Sequence, residues 1–211
     1  MFVNPMFSGA NGPPIFVASS SVGDFEGDPL PINKPAGVIE GDLMIALSAG
    51  SNGVSWSGDT GWTEIFDLGS NPAQRVAYKV AGGSEPSTYT FTPASSIVAQ
   101  SHIIIAYRRA EYVSIGSANY AGSGSPITAP SVTASAANMV AIALFVNEAG
   151  GALSSITSGW SILESATPGT TATPHIWSYS KSARGETGDA VLAFSGTASK
   201  RSGIQLLIKR T

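Results

Sequence analysis

Cysteine is absent from the whole chain, which removes any disulfide framework and any thiolate metal site. That fits assembly in a reducing compartment, although it does not bar a later life outside a cell. Charge is also scarce. Only 12% of the 211 residues are Asp, Glu, Lys or Arg, and the formal net charge is −3. No basic stripe is present, so nucleic acid is not an expected partner. No basic residue precedes Lys34, so the start of the chain has no signal-peptide n-region. The longest apolar run, Met139 to Val146, is far short of the roughly 20 residues a membrane span needs. There is no Walker motif, no His-Glu-x-x-His and no Asn-x-Ser/Thr sequon. No stretch of ten residues holds a 3.6 period without a Gly, Pro or β-branched run breaking it, so no significant helix is expected.

What is present is apolar content of 43%, with 24 glycines and 13 prolines as punctuation. That is enough to bury a core, and a chain of this length can hide roughly 70% of its unfolded surface without a staple. The most informative stretch is one strand written twice. Ala99-Gln-Ser-His-Ile-Ile-Ile-Ala-Tyr-Arg-Arg109 closes the first half of the chain, and Lys200-Arg-Ser-Gly-Ile-Gln-Leu-Leu-Ile-Lys-Arg210 closes the second. Other anchors follow in the same order. Pro29 and Pro126, like Leu47 and Leu144, are 97 residues apart, and Trp62 and Trp160 are 98 apart. Tyr78 and Tyr179, Glu85 and Glu186, and Arg109 and Arg210 are each 101 apart. The spacing grows only where loops are expected, as a duplicated unit should show. The reading is therefore all-β: a jelly-roll-like β-sandwich built from two internally duplicated halves, each of about eight short strands. Residues 1–13 read as an extended arm, 14–110 as the first half and 111–211 as the second, with the halves packed as one compact unit.

Residues that could carry chemistry are few. His102 lies inside the repeated strand opposite Gly203 of the second copy, which argues against a site shared by both halves; a strand-edge or interface position is expected for it. His175 reads as surface. Gly122-Ser-Gly-Ser-Pro126 sits in a turn with no helix after it, so it is not a nucleophile elbow. Asp42, Asp59, Glu64, Asp67, Glu148 and Glu164 read as turn or strand-end carboxylates. Asp24, Glu26 and Asp28 resemble the start of a calcium loop, but Pro35 stands where the twelfth-position Glu belongs, and a solvated acidic turn is the default. No catalytic residue, cofactor or metal ligand is assigned, and an enzyme is not expected. Trp62 and Trp160, each straight after a glycine, read as core plugs. Trp56 and Trp177 are not mutual equivalents and are candidates for a glycan-stacking platform. Phe2 and Phe7 of the arm are candidate anchors on a neighbour. Arg108, Arg109, Lys209 and Arg210 place four cations at strand tips, a candidate contact with an acidic partner.

Gly41-Asp-Leu-Met-Ile-Ala-Leu, Gly61-Trp-Thr, Val76-Ala-Tyr-Lys-Val-Ala, Glu85-Pro-Ser-Thr-Tyr-Thr-Phe and Ile104-Ile-Ala-Tyr-Arg, in that order, resemble a family of roughly 200-residue β-sandwich proteins of tailed bacteriophages. The resemblance spans about residues 14–211 and rests on fold-level motifs. It implies a virion structural protein made in the host cytoplasm. The expected role is capsid decoration or cement, as a trimer or dimer in contact with major capsid or tail subunits. The alternative it implies is a tail-fibre, spike or adhesin module that binds host-surface carbohydrate. The absence of a heptad or collagen-like shaft favours the compact accessory subunit.

Overall fold

The structure, a computed structural model, describes residues 12–24, 29–51, 55–57, 60–70, 72–95, 99–122, 126–148, 152–166, 175–195 and 200–211. Among the described residues there is no helix. The first half supplies β1 (Ile15–Asp24), β2 (Pro31–Asn33), β3 (Leu43–Gly50), β4 (Trp56–Ser57), β5 (Thr63–Leu68), β6 (Ala73–Val80), β7 (Thr88–Thr90), β8 (Thr92–Pro93) and β9 (Gln100–Arg108). The second supplies β10 (Ala110–Ile115), β11 (Asn119–Ala121), β12 (Ile127–Ala129), β13 (Thr133–Asn147), β14 (Ala152–Ile156), β15 (Ser161–Ala166), β16 (His175–Glu186), β17 (Ala190–Ser195) and β18 (Arg201–Arg210).

Two large antiparallel sheets form the centre. One runs β1-β9-β3-β6-β5, and the other β10-β18-β13-β16-β15, with β11 continuing along β18 past β10. The strand order is the same in both, counting β10 and β11 as one interrupted strand. The register matches too. Leu43 opposes Tyr107 and Gly50 opposes Gln100 in the first sheet. Val140 opposes Ile208 and Asn147 opposes Arg201 in the second, 97 and 101 residues further on.

The central strands carry continuous apolar runs because both of their faces are covered. Every residue of β3 is buried, as is nearly all of β9 and β18. Alternation sorts their side chains into two cores. Leu43, Ile45, Leu47, Ile103, Ile105 and Tyr107 point inward to meet Val140, Ile142, Leu144, Ile204, Leu206 and Ile208 of the other sheet. The intervening residues point outward. Met44, Ala46, Ile104 and Ala106 lie under a cover made of the pairs β2-β7 and β4-β8, against Ile32, Trp56, Tyr89 and Phe91. Met139, Ala141, Ala143 and Phe145 lie under the three-stranded sheet β12-β17-β14, against Ile127, Ala190 and Leu192. The result is four layers of sheet, with each half a sandwich of its own and the two sandwiches joined through a shared apolar core. Each aliphatic side chain buried there contributes about 2 kcal/mol.

Trp62 and Trp160 both serve the outer cores, the first partly buried beside Tyr89 and Phe91 and the second within the β12-β17-β14 side. Gly61 and Gly159 before them have φ of 88° and 90°, a turn that a side chain resists. The pairing of Tyr78 with Tyr179 needs correction. Tyr78 opposes Ile45 and faces the shared core, whereas Tyr179 opposes Ala143 and faces the outer one. The register in β16 runs one residue later than identity suggests, and one residue flips the face. Ala77 and Lys79 are the counterparts of Tyr179 and Lys181.

Candidate functional site

The strand tips meet at one end of the molecule, where the amide of Thr211 donates to the carbonyl of Arg109 (3.2 Å). The four cations there are not equivalent. Arg108 forks onto Asp42, with Nε donating to Oδ1 at 3.0 Å and Nη2 to Oδ2 at 2.9 Å. Asp42 is buried and also accepts from the Ile39 amide (3.0 Å), so the pair fixes the turn that leads into β3. Lys209 pairs with Glu111 at 2.8 Å in solvent. Arg210 donates from Nη1 to the Gly12 carbonyl (3.3 Å). Arg109 is exposed, sits at φ 53° and makes no ion pair among the described residues. A cleft of about 480 Å³ opens beside Arg210, lined by Gly12, residues 136–138 and residues 209–211. Exposed apolar side chains share the first half's part of this end: Ile15 (49%) and Phe16 (41%) on β1, Ile39 (56%) and Val80 (54%). Ile15 opposes Arg108, and Val80 opposes Leu43, which places all of them at the tip end of the sheet.

The tryptophan platform does not form. Trp56 is 5% exposed and Trp177 is 3% exposed, so neither offers a ring face. Trp56 packs edge-on to His102 (5.3 Å between ring centroids), and Trp177 packs against Phe194 (5.0 Å). Both lie between a large sheet and its cover, where an indole buries the most area. The half-buried Trp62 is closer to what a platform would need. Its neighbour Tyr89 lines a concavity of about 450 Å³ together with Thr60, Lys79, Pro86, Thr88 and Thr90. Lys79 is held there by Glu85 (2.8 Å), which also accepts from the Tyr89 hydroxyl (2.7 Å) and the Gly82 amide (2.7 Å).

The opposite strand ends are polar and closed. His102 is fully buried on β9, an interior strand, so it is neither an edge nor an interface residue. Its Nδ1 contacts Ser48 Oγ (3.0 Å) and its Nε2 contacts Gln100 Oε1 (3.2 Å). The Gln100 oxygen only accepts, so Nε2 carries the proton and Nδ1 accepts from Ser48. Burial, with the charge of Arg75 added, pushes its pKa down to about 3. Arg75 is itself buried, stacked on Phe91 (5.6 Å) and paired through Nε with Glu64 (2.8 Å). Asp67 opposes Arg75, and burial raises its pKa. In the second half the same strand ends hold Asn147 and Arg201, directly opposed on β13 and β18. Gly203 replaces the histidine because a Cβ there would lie 2.8 Å from the Thr128 carbonyl oxygen.

Phe2, Phe7, Glu26 and Asp28 lie outside the described residues, as does the side chain of Asp24. Among the described residues no cluster of three or more His, Asp or Glu could hold a metal ion. No helix of the described residues is long and apolar enough to cross a membrane. The buried polar ends were missed in sequence, although a signal was there: Gln100-Ser-His102 and Arg201-Ser202 interrupt otherwise apolar strands. No protein family, curated protein or solved structure matches this chain.

Proposed function

We propose that the protein is a structural subunit of a tailed-bacteriophage virion, a decoration or cement protein that clamps neighbouring capsid subunits. The observation that carries this reading is the tip end, where Ile15, Phe16, Ile39 and Val80 are exposed around the strand end that bears Arg109. Apolar side chains next to an exposed cation suit an acidic, partly apolar protein surface. The four-layer core behind them supplies rigidity. The Phe2 and Phe7 arm is part of the same clamp, and the two halves descend from one duplicated unit, a view supported by their shared strand order and register. The test is occupancy on purified particles by quantitative mass spectrometry. Ile39→Glu, Val80→Glu and Arg109→Glu together should lower occupancy at least tenfold. Full occupancy of that triple variant overturns the contact face, and absence of the wild-type protein from particles overturns the assignment.

A second reading, a tail-fibre or adhesin module for host-surface carbohydrate, is favoured by the hydroxyl-rich concavity of Thr60, Lys79, Thr88, Tyr89 and Thr90 beside Trp62. Aromatic edges with convergent hydroxyls and an ammonium suit a sugar. A glycan array whose signal falls with Thr88→Ala and Lys79→Ala supports it; no signal with the wild-type protein removes it.

A further inference from the structure

The two halves finish differently at the tip end. In the first, the buried carboxylate of Asp42 takes the Arg108 fork, and Ile39 and Val80 stand exposed nearby. In the second, the register puts Met139 in the place of Asp42 and Lys209 in that of Arg108. Ala136 and Ala137 replace Ile39 and Glu40, and Ser182 and Arg184 replace Val80 and Gly82. Met139 is buried and brings no charge, so Lys209 turns to Glu111, and both of those side chains are about half exposed (49% and 47%). Small side chains where the first half has larger ones leave the surface open. Two clefts, of about 480 and 270 Å³, meet there at Ala137 and Asn138.

Their side-chain charge has one sign. Lys209 and Arg210 line the larger cleft and Arg184 the smaller, and among the described residues no Asp or Glu lines either. Arg184 is exposed and makes no hydrogen bond or ion pair among the described residues. Arg210 Nη1 donates to the Gly12 carbonyl (3.3 Å), which holds its guanidinium at the cleft. The carboxylate closest to Arg184 in sequence, Glu186, is taken up by the hydroxyls of Ser131 and Thr133. Gly12, Pro13, Ala136 and Ala137 make the rest of the lining mostly small and uncharged.

We infer that the joined clefts dock an acidic, extended peptide segment of a partner protein. An arginine fork takes a carboxylate through two parallel hydrogen bonds. Lys209 readily exchanges Glu111 for a partner carboxylate, because a solvent-exposed ion pair is worth little. Three cations are too few for the phosphate track that sustains nucleic-acid binding. The site lies on the second half's side of the tip end and does not depend on the proposed virion role.

The test is fluorescence anisotropy of labelled hexaglutamate titrated with the full chain at about 50 mM salt, where exposed charges are felt only over roughly 14 Å. Binding should saturate with a dissociation constant below about 1 mM. Arg184→Ala and Arg210→Ala should each weaken it about fivefold or more. Ala137→Trp fills the junction of the clefts without altering charge and should weaken it about tenfold. Lys200→Glu, at the opposite strand ends, changes net charge by more than either arginine variant yet should leave the affinity within about twofold. Should Arg210→Ala fail to fold, the exposed Arg184 and Ala137 carry the comparison. No saturable binding by the wild type overturns the inference. So does full affinity in Ala137→Trp, a loss in Lys200→Glu equal to that in Arg184→Ala, or an octathymidylate that binds more tightly than hexaglutamate.

Discussion

Ser202 Oγ donates a 2.5 Å hydrogen bond to Gln74 Oε1, joining the two large sheets across 128 residues of sequence. Both residues are buried in the layer between the sheets. Ser202→Ala leaves the Gln74 oxygen without a partner and should cost about 1–2 kcal/mol in urea unfolding. Adding Gln74→Leu should recover much of that loss, since removing both partners removes the unmet demand. A double variant less stable than the single one would contradict this.

The shared apolar core predicts how the halves behave apart. Residues 1–109 and 110–211 made separately each expose a wide apolar sheet face, and each should aggregate or dimerise. Produced together they should copurify as a one-to-one complex with the far-UV circular dichroism of the intact chain. Two soluble, monomeric, folded halves would show that the central layer contributes little.

His102 sets a pH dependence. Its pKa falls from the ordinary 6.5 to about 3 in the folded chain. The unfolded chain therefore binds one more proton between those values. Stability is fully present above about pH 6.5 and declines as the pH drops toward 3, by about 1.4 kcal/mol per unit. Denaturant titrations at pH 7.0, 6.0 and 5.5 should show the slope before most carboxylates titrate. His102→Gln should flatten it over that window.

Two glycines separate crowding from backbone strain. A Cβ on Gly203 would meet the Thr128 carbonyl oxygen, the Ile127 side chain and the Ala129 nitrogen at 2.8–3.0 Å, and backbone cannot yield. Gly203→Ala should cost about 3 kcal/mol or more. Gly159 has a φ of 90° but nothing closer than Lys181 Cε at 4.0 Å, so Gly159→Ala should cost only the strain, about 1–2 kcal/mol. Equal losses in thermal unfolding would refute the distinction.

Strand content and the twofold layout were legible because β3, β9, β13 and β18 each contain a run of apolar residues, broken in β18 only by Gln205, and Arg109 and Arg210 mark the ends of β9 and β18. The face of each side chain was less so. Tyr78 and Tyr179 looked like counterparts by identity, yet a single-residue change in register put them on opposite faces. Trp56 and Trp177 looked available because they are not mutual equivalents and read as unduplicated aromatics on or near loops, whereas Trp56 lies on the short cover strand β4 and faces the large sheet, and Trp177 is covered by Phe194 of β17. The buried polar ends were missed for a different reason. A Gln, His or Arg at a strand terminus reads as solvated until tertiary packing places another sheet above it.

All four outermost strands of the two large sheets carry a break in register: between Phe16 and Ala18, Glu64 and Phe66, Tyr112 and Ser114, and Ile162 and Glu164. An interrupted border cannot serve as a template onto which another chain zips its backbone. Copies crowded side by side would therefore not extend either large sheet across these four borders, and a lasting bond there would have to be made by side chains.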